Sequence, residues 1–155
     1  MGYTHYFSFQ NVRGKAQVNE LMYKTAIEDC QRVIRRFYKE NGGLSGYTAH
    51  CKIGQYGGVQ VNGKRPDDCE TFELREHFSQ NFENDFNTFC KTARLPYDTV
   101  VTACLAILKH RLGDAITVRS DGNAKDWQEG VDYARKVTRL KIANPIPLVK
   151  NNKAA

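Results

Sequence analysis

The chain has 155 residues, of which 41% are hydrophobic and 26% charged, and its formal net charge is +6. A chain of this length and composition can bury the core of one domain, which argues against disorder of the whole. No window reaches the ~18 uninterrupted apolar residues of a membrane helix, and the N-terminal residues lack the features of a signal peptide. We therefore expect a cytoplasmic protein without membrane contact, in the host cytoplasm if a phage encodes it.

The first half of the chain predicts one strand, one long helix and a hairpin. Aromatic and polar residues alternate over 3–9, which is typical of a strand. Apolar residues recur at helical spacing from about 15 to 40. Two short strands, 47–53 and 59–64, flank the glycine-rich segment 54–58, a pattern typical of a hairpin with a mobile tip.

The middle of the chain predicts two more strands and a buried helix. The strands cover 70–74 and 86–92. The sequence Pro96-Tyr97-Asp98 suits the first turn of a helix, where proline is tolerated and a carboxylate complements the helix dipole. From Val100 to Leu108 this helix is apolar nearly all round, so we expect it to lie in the core.

The C-terminal part predicts a strand over 115–119 and a third helix over 124–140, capped by Asn123. This order of elements favours an α+β fold, a single domain over 1–142 with a mostly antiparallel or mixed sheet packed by about three helices. Residues 143–155, with two prolines, are expected to form an extended or disordered tail.

The junction between the strand 86–92 and the following helix holds the densest group of polar residues. Helix N-termini leave backbone N–H groups unsatisfied and favour anions. We therefore predict a site for a phosphorylated or nucleotide-like ligand here. Its binding residues would be Lys91, Thr92, Arg94, Tyr97 and Asp98. The alternative is that Lys91 and Arg94 are merely solvated, with Asp98 capping the helix and pairing with Arg94.

Three residues are candidates for catalysis. His5 can act as an acid or base near neutral pH, although a buried histidine satisfied by a carbonyl is equally common. Cys90 could be a nucleophile if the helix end or Lys91 lowers its pKa, but it could equally be buried. Glu70 could line a pocket or simply face water at a strand end.

The remaining polar residues indicate neither a metal nor a cofactor. The chain has five cysteines, an odd number without a C-x-x-C pair, so we expect reduced thiols. Asp67 and Asp68 stand side by side, and the sequence shows no spacing of acidic, histidine or cysteine residues that is typical of a metal site. Residues 125–155 carry seven basic side chains against three acidic ones, which suits a solvated helix face or an edge that binds nucleic acid or an acidic partner.

Several motifs resemble a family of small uncharacterised proteins from bacteriophages and bacteria. These proteins begin MGYTHYF or MGYTHYW and carry an FCKTARxPYD motif. Here the matching segments are Met1–Phe7, Glu70–Phe72, Phe89–Asp98, the helix Val101–His110, and Ser120-Asp121-Gly122 with Trp127. The resemblance implies a phage or bacterial origin and implies no activity.

Two functions remain open from the sequence. One is a pocket for a phosphorylated ligand, either in an enzyme or in a binding module. The other is an accessory protein that binds a host protein or nucleic acid through its surface, without catalysis. A concave site that gathers His5, Glu70 and the 91–94 segment would favour the first, and a flat patch the second.

Overall fold

The structure is a computed structural model, and it describes residues 2–10, 16–83 and 88–148, with the backbone alone at 16 and 17. Within these ranges it contains four α-helices and six strands, with short 3₁₀ turns at Phe78–Phe82 and Gly113–Ala115. The chain order is β1 (Thr4–Phe9), α1 (Ala16–Asn41), β2 (Leu44–Ser45), α2 (Tyr47–His50), β3 (Val59–Gly63), β4 (Phe72–Leu74), β5 (Phe89–Lys91), α3 (Asp98–Leu112), β6 (Ile116–Ser120) and α4 (Ala124–Thr138). The predicted α+β domain is confirmed.

The strands form two antiparallel sheets of three strands each. One has the order β5-β1-β6 and the other β2-β3-β4. In the first sheet β1 is central, and its side chains alternate as its sequence predicts. His5, Phe7 and Phe9 face the core, whereas the residues between them face outward.

The predicted strand over 47–53 is wrong, because residues 47–50 form the short helix α2. The side chain of Thr48 explains why no strand is needed there. Its Oγ1 accepts a hydrogen bond from Gln60 N at 2.8 Å. A side chain therefore supplies the acceptor for this β3 N–H group that the backbone of a neighbouring strand would otherwise supply. The carbonyl of Ala49 is likewise occupied, by the guanidinium of Arg35 on α1.

Helix α3 is the centre of the core. It packs between α1 and α4, and its residues Val100 to Leu108 are all buried, as predicted. The approach of α4 is close because Gly130 has no side chain. A Cβ at Gly130 would overlap Thr102 Oγ1 on α3, so only glycine fits this crossing.

Helix α4 begins as predicted, with Asn123 Oδ1 accepting from Asp126 N at 3.0 Å, and it ends at Thr138. Residues 143–148 continue without regular secondary structure, and Ile146 is buried against the core. The predicted helix start at 15, the first residues of the predicted strand 86–92, and the tail from 149 onward lie outside the described residues. No described helix is long and apolar enough to cross a membrane.

Candidate functional site

Three residues from three strands form one row on the core side of the first sheet. The antiparallel register places His5 of β1 opposite Cys90 of β5 and opposite Ser120 of β6. The side chain of His5 is fully buried, while Ser120 is half-buried at the end of its strand. The sheet thus brings together residues that are far apart in the sequence.

The imidazole of His5 joins a serine to an aspartate. Its Nδ1 lies 2.8 Å from Ser120 Oγ, and its Nε2 lies 2.6 Å from Asp98 Oδ1. A carboxylate only accepts hydrogen bonds, so a neutral His5 donates from Nε2 to Asp98 and its Nδ1 accepts from the Ser120 hydroxyl. Ser120 Oγ also accepts from Gly122 N at 2.9 Å, which orients the serine. This is the arrangement of a nucleophile, a base and an orienting carboxylate.

Asp98 occupies the first turn of α3, where its charge complements the helix dipole. The same oxygen that bonds His5 accepts a second hydrogen bond, from Thr92 Oγ1 at 2.6 Å. The N-cap position of α3 is occupied by Tyr97 and not by Asp98. Nor does Asp98 pair with Arg94, whose Nη1 instead lies 3.1 Å from Asp126 Oδ1. The alternative in which Asp98 caps the helix and pairs with Arg94 is therefore wrong.

Two aromatic rings enclose His5. The ring of Tyr3 and the indole of Trp127 meet the imidazole edge to face, with centroids 5.0 and 4.9 Å away. The Tyr3 hydroxyl and Trp127 Nε1 are both buried, and neither has a hydrogen-bond partner among the described residues. Buried donors are normally satisfied; the Tyr3 hydroxyl lies close to Ser120, and Trp127 Nε1 is a donor left without a partner beside His5.

The Tyr3 hydroxyl lies over the turn that follows Ser120. A Cβ at Gly122 would be 2.5 Å from this hydroxyl, so a side chain at position 122 would clash with Tyr3 in its present position. Burial, helped by the nearby charges of Asp98 and Asp126, raises the pKa of Tyr3 to about 12. The hydroxyl therefore keeps its proton at neutral pH and remains a donor.

Arg94 covers the outer side of Tyr3. Its guanidinium carbon lies 4.0 Å from the ring centroid, and 59% of its side chain is exposed. Ala93 and Arg94 have positive φ angles of 53° and 60°, an uncommon pair for residues with a Cβ. The N–H groups of Thr92 and Ala93 both bond the carbonyl of Tyr3, which fixes this loop around the tyrosine. His5 and Arg94 thus contact the same ring.

The predicted free N–H groups at the start of α3 are occupied. Asp98 N donates to Leu95 O at 2.8 Å, and both Val100 N and Val101 N donate to Tyr97 O. The helix end therefore offers fewer donors to an anion than the sequence suggested. Any anion at this junction would depend mainly on the side chains of Arg94 and Lys91.

Three other predicted residues serve the backbone around β5. The carboxylate of Glu70 accepts from Lys91 N at 2.7 Å, and the Tyr97 hydroxyl donates to Glu70 O at 2.6 Å. Tyr97 and Cys90 are buried, and the Cys90 thiol donates weakly to Glu70 O. Burial, with the charge of Glu70, raises the pKa of Cys90 to about 12, so the thiol stays protonated and is a poor nucleophile.

Ser120 is the residue that the sequence reasoning missed. The last strand was predicted to stop at 119, one residue before it. The signal was present, since Ile116, Val118 and Ser120 share one face by alternation and Asp121-Gly122 then turns the chain. Its position beside His5, however, depends on the strand register, which no local pattern gives.

Comparison with protein-family models, with curated proteins and with solved structures finds no match. Among the described residues, no three or more histidine, cysteine or acidic side chains group in a way that could hold a metal ion. The function therefore has to be argued from the geometry around His5.

Proposed function

We propose that the protein is an ester-cleaving hydrolase that acts on a phosphorylated or nucleotide-like ligand, with Ser120 as its nucleophile. The observation that carries this proposal is the continuous hydrogen-bond chain from Ser120 through His5 to Asp98. In this chain a weak nucleophile is hydrogen-bonded to a base, and the base is oriented by a third group.

The chemistry follows from the roles of the atoms. Ser120 Oγ attacks the electrophilic carbon or phosphorus of the ester while its proton passes to His5 Nδ1. The bond to the leaving oxygen breaks, and that oxygen takes the proton from His5. Water then attacks the covalent intermediate and gives a proton to His5, and His5 passes that proton to Ser120 Oγ as the bond to the serine breaks. Asp98 stabilises the protonated imidazole and holds its orientation throughout.

Tyr3 and Arg94 suit the substrate side of this reaction. The Tyr3 hydroxyl is a protonated donor close to Ser120, which fits a group that stabilises negative charge on the reacting ester. Arg94 lies on the other side of Tyr3 with most of its side chain exposed, and arginine is well suited to hold a phosphate. Lys91 adds an exposed positive charge nearby.

A second candidate function is binding without catalysis. It is favoured by the complete burial of His5 and by the number of segments that the hydrogen bonds join, namely β1, β6, α3 and the loop after β5. In that case the serine and aspartate would hold the histidine in place as a structural link. Arg94 would then be the main contact to a phosphorylated ligand.

A fluorophosphonate probe distinguishes the two functions, because it labels only serines activated by a neighbouring base. We expect the wild-type protein to be labelled, with the modified peptide containing Ser120, and Ser120→Ala to be unlabelled. Ser8→Ala is the matched control, since Ser8 lies on the outer face of β1, where its hydroxyl is hydrogen-bonded to Thr117 Oγ1 at 2.6 Å.

Absence of labelling in the wild type, or labelling that survives Ser120→Ala, would overturn the catalytic proposal. If the wild type is labelled, nitrophenyl esters of carboxylic and of phosphoric acids then show which ester the enzyme cleaves. If it is not labelled but binds nucleotides in calorimetry, the binding function takes its place.

A further inference from the structure

The outer side of the first sheet is a second feature, independent of Ser120. Alternation along the three strands turns one set of residues outward, away from the core. We call this surface the open face. It is formed by Tyr6, Ser8, Phe89, Lys91, Thr117 and Arg119.

A row of two aromatic rings and one guanidinium crosses the open face. The register pairs Tyr6 with Phe89 on one side and with Arg119 on the other. Phe89 is 46% exposed, and Arg119 lies over the Tyr6 ring with its guanidinium carbon 5.1 Å from the centroid. The row borders a shallow cleft of about 130 Å³. Phe89 is thus an exposed ring that stands next to a second ring and a guanidinium, rather than an isolated apolar side chain.

The charge of the open face is positive. Lys91 and Arg119 are exposed, and none of its six side chains is acidic. Two carboxylates of the described residues lie at one end, where Asp121 Oδ2 accepts from Thr4 N at 3.1 Å and Glu70 Oε1 accepts from Lys91 N at 2.7 Å. Arg119 lies farther along the sheet, opposite Tyr6, whereas these two carboxylates lie at the Thr4–Lys91 end.

We propose that the open face binds single-stranded nucleic acid, with bases stacked on Tyr6 and Phe89 and phosphates held by Arg119 and Lys91. Exposed aromatic side chains on a sheet with flanking cations are the means by which proteins bind unpaired bases with little sequence preference. The hydroxyls of Ser8 and Thr117 make the rest of the surface polar. Such hydroxyls can also donate hydrogen bonds to phosphate and sugar oxygens.

The test is fluorescence anisotropy with labelled oligothymidylate of about 15 nucleotides, a single-stranded RNA of equal length, and a duplex of the same length. We expect both single strands to bind better than the duplex. Tyr6→Leu and Phe89→Leu should each weaken binding roughly 5- to 150-fold, the range that corresponds to loss of one stacked base. Arg119→Gln should reduce the slope of log affinity against log salt by about 0.7.

Two controls make the result specific. Tyr47→Leu removes another exposed tyrosine, one that stacks on Tyr56 away from this sheet, and should leave binding unchanged. Ser120→Ala should also bind normally, which separates this inference from the proposed hydrolase. Circular dichroism of each variant establishes that the fold is retained.

Three results would overturn the inference. The first is that the wild type binds no single strand. The second is that Tyr6→Leu and Phe89→Leu bind as tightly as Tyr47→Leu. The third is a concentration-dependent dimer in sedimentation that Tyr6→Leu abolishes, because the open face would then be a contact between two copies of the chain.

Discussion

His5 and Asp98 are 93 positions apart in the sequence, and their side chains lie 2.6 Å apart in the fold. Thr92 donates to the same aspartate oxygen, so the carboxylate is held from two sides. This fixed carboxylate favours the His5 tautomer that carries its proton on Nε2 and leaves Nδ1 as an acceptor for the Ser120 hydroxyl. Replacing Asp98 therefore tests whether the orientation of His5 matters, because the histidine itself remains in the protein.

Asp98→Asn should therefore slow labelling of Ser120 by at least ~100-fold. The amide keeps the shape of the side chain but can present an N–H to His5 and favour the wrong tautomer. We expect the free energy of unfolding to fall by only about 1–3 kcal/mol. The measurements are the labelling rate and urea denaturation. Asp114→Asn, at an exposed carboxylate in the turn before β6, is the control. Unchanged labelling in Asp98→Asn would mean that the carboxylate does not orient the base.

Arg94→Ala should weaken a phosphorylated ligand roughly ten- to a hundred-fold, as expected for loss of a charged hydrogen bond. Arg94→Lys should recover only part, because lysine cannot offer two parallel donors. Calorimetric titration with a nucleotide panel at two salt concentrations measures both effects. Arg36→Ala is the matched control, since Arg36 is also a partly exposed arginine paired with a carboxylate, Glu40 at 3.0 Å. Unfolding of Arg94→Ala would instead identify its bond to Asp126 as structural.

Leu105→Ala should lower the free energy of unfolding by roughly 2–5 kcal/mol. Leu105 is fully buried on α3, which packs against helices on both sides, so the cavity cannot collapse easily. Chemical denaturation measures the loss. Leu148→Ala, at a leucine that is 84% exposed, should change stability by less than about 0.5 kcal/mol. A loss below about 1 kcal/mol for Leu105→Ala would show that α3 is not the centre of the core.

Stability should fall in alkaline solution, and Cys90 and Tyr3 are two of the groups that contribute to the fall. Burial raises their pKa values to about 12 from ordinary values of 9.0 and 10.0, so the folded protein keeps protons that the unfolded chain releases first. Their stabilising contribution is therefore complete below about pH 9 and is lost as the pH rises toward 12.

The check is the urea midpoint measured between about pH 8 and 11, in wild type and in Cys90→Ala. The decline should be shallower in Cys90→Ala, and Cys51→Ala, at a partly exposed thiol, should follow the wild type. Equal declines in all three proteins would mean that Cys90 does not retain its proton in the folded state.

Local patterns predicted most of the elements of the fold. Alternation identified β1, helical spacing identified α1, and the apolar run from Val100 to Leu108 identified α3 as the buried helix. The segment 47–50 was predicted incorrectly because its partner is distant. Thr48 bonds the backbone of β3, and that contact stabilises a short helix where local propensity favours a strand.

The candidate site was predictable only in part, because it depends on long-range pairing. His5, Thr92 and Asp98 were chosen for their chemistry, and the fold joins them directly. Ser120 was missed because only the register of β1 with β6 brings it to His5. The free donors expected at α3 were absent because the turns before the helix use them, a feature that residue types do not reveal.

Gly130 lies in the core, but the packing that it allows also positions residues around His5. Its missing side chain lets α4 approach Thr102 of α3, and these two helices carry Trp127 and Asp98, which flank His5 from two directions. Any larger residue at Gly130 would wedge the helices apart and loosen the enclosure of the imidazole. Random mutagenesis that scores labelling of Ser120 should therefore recover substitutions at this glycine, although it contacts none of the reacting groups.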